Sequence, residues 1–159
     1  MAGLGPVAHA SDLLRELIAV GSRPPDYITG MRDGVGAFLE WLQRWPARSR
    51  AWGLEILSLG DAGFEARERT ITRLQRLFDT VALRARREHV GLPDLPEVVS
   101  RAVILASVDL ANGQIRAGRL KTLRDDLEGP ILYIWLLGLA GHDVAATAVG
   151  DSILRPGPS

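Results

Sequence analysis

Residues 26–45, Asp-Tyr-Ile-Thr-Gly-Met-Arg-Asp-Gly-Val-Gly-Ala-Phe-Leu-Glu-Trp-Leu-Gln-Arg-Trp, decide the fold class. Apolar residues recur at Tyr27, Met31, Val35, Phe38, Leu42 and Trp45, a spacing of three or four that belongs to one face of an α-helix. Working outward, Pro24-Pro25 opens this helix, which runs from Asp26 to Arg44, and Trp45-Pro46 breaks it, with Pro46 suited to the first turn of the next. Upstream, Ser11 can cap a short helix through Leu13, Leu14, Leu17 and Ile18 that stops at Gly21. Downstream, a third helix carries Ala51, Trp52, Leu54, Ile56 and Leu59 and ends at Gly60. Asp61 can cap a long fourth helix that places Phe64, Ile71, Leu74, Leu77, Phe78, Val81 and Ala85 inside and its arginines outside, ending near His89 to Gly91.

Asp94-Leu95-Pro96-Glu97 reads as a capping box, with Asp94 as N-cap and Glu97 three residues on, and predicts a helix from Leu95 to Arg119. Thr122 and Asp125 repeat that pattern before a last long helix, Leu123 to about Gly141, in which Leu123, Leu127, Ile131, Trp135 and Leu139 recur every four residues. Gly129-Pro130 is expected to kink or restart it. Beyond Asp143 the pattern is weak. No stretch alternates apolar and polar residues between hairpin turns. The chain therefore reads as all-α: an antiparallel bundle of about six helices, a single domain over residues 1–159 with an ordered core from about 12 to 141.

The 159 residues are 47% hydrophobic and 24% charged, and a chain of 17.3 kDa buries about two-thirds of its unfolded surface, enough for a core without staples. With no cysteine, disulfides, thiolate zinc sites and a cysteine nucleophile are excluded. Nineteen basic residues balance nineteen acidic ones, which argues against a DNA-binding surface on this chain. The first ten residues lack the charged and apolar regions of a signal peptide. The longest apolar run, Ile131 to Ala140, is half of what a membrane span requires. A cytoplasmic protein with no membrane segment is expected.

The search for chemistry yields little. His9, His89 and His142 lie far apart, without the i+3 or i+4 partner of a helical metal pair. Asp125, Asp126 and Glu128 are accounted for by the helix dipole, and the glycines from Gly30 to Gly36 lack the strand and lysine of a phosphate loop. No serine occupies a nucleophile elbow. The reading is of a non-enzyme with no metal and no cofactor. Large side chains stand out instead: Phe38, Trp41, Leu42, Trp52, Ile56 and Phe78 form either plain core or the wall of an apolar pocket. Gly34, Gly36 and Gly53 imply close helix approach or room left open, with close packing the expected cause. Asp109 and Asn112 interrupt an apparently inward row of Val98, Ala102 and Leu105, and Glu55 lies between Trp52 and Ile56, so each needs a hydrogen-bond partner if buried. Ile131 to Ala140 is apolar all round, which points to a helix shared with a second, twofold-related copy.

Pro46-Ala47-Arg48-Ser49-Arg50-Ala51-Trp52-Gly53-Leu54-Glu55, after a helix ending Phe38-Leu39-Glu40-Trp41-Leu42, resembles the P-x-R-x-R-x-x-x-x-E block in the regulatory domains of tetracycline-repressor-type (TetR) transcription factors. Gly60, the arginine-rich helix through Arg67-Glu68-Arg69, the Leu92-Pro93-Asp94-Leu95-Pro96 turn and two long C-terminal helices follow in that family's order, so the resemblance covers about Asp12 to Gly141. It implies a homodimer whose C-terminal helices bind a small apolar effector and control DNA binding by an N-terminal helix-turn-helix. Residues 1–25 are too few for that module, so DNA is expected as a partner only through a missing N-terminal domain. The resemblance further implies a dimer seam at Val99, Val103, Ile131, Trp135 and Leu139. It also implies a pocket lined by Phe38, Trp41, Leu42, Trp52, Ile56, Leu74, Phe78 and Ala106, with Glu55 or Asp109 as its polar handle. The alternative is a helical protein–protein interaction module that dimerises without an effector.

Overall fold

The computed structural model describes Arg15 and residues 26–89 and 91–150. The helix expected from Ser11 to Gly21 and the tail after Gly150 lie outside the described residues, Arg15 excepted. Asp26 is the N-cap of α1 (Tyr27–Arg44): its extended backbone lets the carboxylate accept from the Thr29 amide at 2.9 Å and the Thr29 hydroxyl at 2.8 Å. Those two bonds, the amide first, hold the Asp26 carboxyl below its ordinary range. The predicted stripe is buried from Tyr27 to Leu42, but Trp45 is exposed and begins the next element, with the Arg48 guanidinium 4.3 Å over its ring.

α2 (Pro46–Arg50) is short. The single helix expected as far as Leu59 instead changes register twice, into a π turn at Ala51–Glu55 and a 3₁₀ turn at Ile56–Leu59. Gly60, at φ +63°, then swings the chain into α3 (Asp61–Glu88), with Asp61 as its first helical residue rather than its cap. Gly63 turns inward beneath the Ile56 carbonyl, where a Cβ would overlap that oxygen. This rotation puts Phe64, expected inside, 57% exposed, and Leu59 also faces solvent. The rest of the inward face runs through Ile71, Leu74, Phe78, Ala82 and Ala85.

α4 (Glu97–Arg116) begins later than the capping box predicts. Pro96 is the N-cap, Glu97 the first helical residue, and Asp94 pairs with Arg86 of α3 instead of capping. A 3₁₀ turn at Leu120–Thr122 leads to α5 (Leu123–Ala140), where the Thr122 hydroxyl donates to the Asp126 carboxylate at 2.7 Å rather than accepting from a backbone amide. α5 continues through Pro130 without restarting. Gly141, at φ +88°, ends it, and α6 (His142–Val149) follows where the sequence pattern is weak. α5 packs on α1, α4 and α6, while α3 packs on α1, α4 and the Ile56–Leu59 turn, giving an all-α helical bundle with no strand among the described residues.

Asp26→Ala should lower the urea midpoint at neutral pH. Because the folded-state pKa of Asp26 lies below the ordinary 3.8, its stabilisation is present above that value and lost as pH falls through the folded pKa, so the wild-type and variant midpoints should converge in acid. A matched glycine pair probes packing. Gly34→Ala, with nothing within 4 Å of the new Cβ, should stabilise by about 0.5–1 kcal/mol. Gly63→Ala, which must displace a backbone carbonyl, should destabilise by about 1–3 kcal/mol by the same urea measurement.

Candidate functional site

α1 supplies Phe38, Trp41 and Leu42, the turns after α2 supply Trp52 and Ile56, and α3 supplies Leu74 and Phe78. All seven are buried in one continuous core, and Ala106 of α4 is half-buried. The two expected polar handles are not there. Glu55, at the end of the π turn, and Asp109 are both exposed. On α4 the inward face is Ser100, Val103, Ile104, Ser107, Val108, Ala111, Asn112 and Ile115, so the row of Val98, Ala102 and Leu105 turns away from the core and carries Asp109 with it.

Asn112 is the polar residue of that set that the fold buries, at 7% exposure. Its Oδ1 lies against the backbone of Gly53 on the π turn, where a Cβ would overlap it. Gly36 likewise admits the Arg124 guanidinium, which pairs with Glu40 and Glu128, whereas Gly34 has open space around it. The three inner tryptophans differ in how their indoles are satisfied. Trp135 Nε1 donates to Ser107 Oγ at 2.8 Å, Ser107 donates onward to the Val103 carbonyl, and the Trp135 ring meets Phe78 edge-on with centroids 5.0 Å apart. Trp41 Nε1 and Trp52 Nε1 are buried and meet no acceptor.

The five residues assigned to a dimer seam divide the same way. Val103, Ile131 and Leu139 are interior to the monomer and have no surface to offer a partner, and Trp135 is engaged with Phe78 and Ser107. Val99 is half-buried, 3.5 Å from the Cβ position of Gly138 where α4 and α5 cross. The exposed apolar residues of these two helices are Val98 (73% exposed) and Leu110 on α4 and Leu137 (45% exposed) on α5, with Leu105, Ala106 and Ile134 partly exposed.

No family model, curated protein or solved structure matches this chain.

A concavity opens where α6 meets the start of α1, an open cleft of about 610 Å³ that includes Asp26, Tyr27, His89, Asp143 and Thr147 in its wall. None of the residues expected to line a pocket borders it, and α6, which forms one wall, is the element the sequence pattern does not signal. His89 packs edge-on against Tyr27 at 5.1 Å, and His142 Nδ1 is 2.8 Å from the Tyr133 hydroxyl. Burial first, then the Asp26 and Glu88 charges, raises the Tyr27 phenol above its ordinary range. Among the described residues no cluster of three or more potential metal-binding His, Asp or Glu side chains occurs.

Ser107 is the acceptor that separates Trp135 from the other two inner indoles. Ser107→Ala should destabilise the fold by about 0.5–1.5 kcal/mol, the net contribution of one hydrogen bond from a partly buried donor. Thr80→Ala, which removes only an exposed bond to the Arg76 carbonyl, should change the denaturant midpoint little.

Proposed function

We propose that this chain is the homodimerising, ligand-responsive regulatory domain of a cytoplasmic transcriptional repressor of the tetracycline-repressor type, acting on DNA through a helix-turn-helix module joined to it. The observation that carries the proposal is the apolar face left uncovered by α4 and α5. By length and composition α4 is apolar enough to cross a membrane, yet only 44% of its apolar window is buried within the chain. Its inward face carries Ser100, Ser107 and Asn112, and Arg101 reaches Glu68 of α3 at 2.5 Å, which ties it into the bundle rather than a bilayer.

The occupant that fits the outer face is the same face of a second copy. It is apolar where the N-terminal half of α4 meets the C-terminal half of α5, and Ala102 and Ala106 allow close helix approach. Charge gathers at the other end, around Asp109, Arg116, Asp125 and Asp126, as at the rim of an interface. A helix of this length spans about 30 Å, and a pair about 20 Å wide offers roughly 600 Å² per partner, near the lower edge for a specific dimer. The seam thus moves outward from the residues first assigned to it, from Ile131 and Leu139 to Val98 and Leu137. The packed state of Phe38, Leu42, Ile56 and Phe78 favours the second reading, an association module that dimerises with no effector.

By light scattering or native mass spectrometry the chain should have twice its 17.3 kDa mass. Leu137→Arg and Val98→Arg should each give the monomer mass with an unchanged helical circular dichroism spectrum. A wild-type monomer at micromolar concentration refutes the dimer face.

A further inference from the structure

We infer that the outer face of α3 is a contact surface for the phosphate backbone of double-stranded DNA, bound without regard to sequence. This inference goes beyond the regulatory-domain reading, since it needs neither a helix-turn-helix nor a dimer. Arg69, Arg73, Arg76, Thr80, Arg84 and Arg87 recur by four, three, four, four and three residues, which sets them in one row along the helix. The row is about 27 Å long. Its positions are exposed except for Arg84, which is half-buried. From Arg69 to Arg87 the chain carries six arginines and one acid, Asp79, so the remainder of the protein is net acidic although the whole is neutral. The overall balance therefore conceals a segregated basic ridge, and arginines clustered along one helix are the electrostatic footprint of a nucleic-acid surface.

The guanidinium groups of this row are available. Arg73, Arg76 and Arg87 pair with no carboxylate among the described residues. Arg69 and Glu65 lie 3.6 Å apart at 55% and 70% side-chain exposure, and such surface pairs are weak enough for a phosphate to displace. Arg84 is held by Glu88 at 2.5 Å. A guanidinium offers a phosphate two parallel N–H donors, so each free arginine can take one phosphate bidentately. The shape of the charge selects the partner. The row is one side chain wide, with Glu68 and Asp79 along one flank and Glu88 at the end of the other. A flat anionic bilayer would press against those acids as well, and would find only Leu83 as an exposed large apolar anchor between Arg69 and Arg87. A single line of phosphates meets the arginines and clears the acids. No aromatic side chain stands on the row, Phe78 being buried, so the bases of a single strand have no platform to stack on and the duplex backbone fits better.

The test is fluorescence anisotropy of a labelled DNA duplex of about 20 base pairs titrated with the full chain, starting at about 20 mM sodium chloride. The duplex should bind, two unrelated sequences should bind alike, and log K should fall against log salt with a slope of about −3 to −4.5, the value for three to five phosphates. Arg73→Gln and Arg76→Gln should each weaken binding and bring the slope about 1 closer to zero, with an unchanged circular dichroism spectrum because glutamine is a good helix former. Arg87→Gln probes the other end of the row if either of those does not fold. Arg116→Gln, which removes an exposed charge at the C-terminal end of α4, should leave affinity and slope in place. No binding at the lowest salt, or an equal loss from Arg116→Gln, overturns the inference. Vesicles rich in phosphatidylserine, or polyglutamate, that bind as tightly as the duplex overturn it too, and assign the row to a membrane or to an acidic protein. Mass measured on the same samples tests the dimer face separately.

Discussion

Residues 131–140 of α5 are apolar all round, and the arrangement of the helices around them follows from the need to cover that stretch. Ile131, Leu132 and Leu136 are fully buried and Leu139 nearly so, each burial contributing about 1.5–3 kcal/mol. Three helices share that task, α1 on one side, α4 on another and α6 across the end. Coverage at such short range requires small residues at the crossings. Gly138 lets Val103 approach to 3.1 Å of its Cβ position, and Gly36 on α1 makes room for the Arg124 guanidinium of α5. One sector, around Ile134 and Leu137, is left over. The uncovered surface is what remains once α1, α4 and α6 have packed around that apolar stretch.

The same uniformity explains what was legible in the sequence and what was not. α1 has one apolar stripe with charges behind it, so both its existence and its inward face follow from spacing, and Phe38, Trp41 and Leu42 are buried in the core. α5 is legible as a buried helix but carries no phase: when every side is apolar, spacing cannot distinguish Ile131, which faces the monomer core, from Leu137, which faces solvent. α4 offers two apolar stripes. The row of Val98, Ala102 and Leu105 is as regular as the one through Val103, Ile104 and Val108, and tertiary packing selected the second, which moved Asp109 outward and Asn112 inward. The turns after α2 have no signature, because a π turn differs from an α turn in hydrogen-bond register and not in residue type. α6 is built of Ala, Val and Thr with little amphipathic contrast, and packing against α5 rather than its own pattern defines it.

Asn112 and Leu110, two residues apart, occupy opposite faces of one helix. The inner face of α4 touches the π turn at Gly53, and the outer face is the uncovered apolar strip, so any movement of α4 changes both surfaces together. A short helix followed by two register changes, and a glycine where Asn112 presses in, supply the compliance on one side. The Arg101–Glu68 pair and the Gln75–Ser100 bond at 3.1 Å fasten the N-terminal half of α4 to α3 on the other. The bonds that fasten α4 to α3 thus lie in its N-terminal half, while Asn112 meets the π turn nearer its C-terminus.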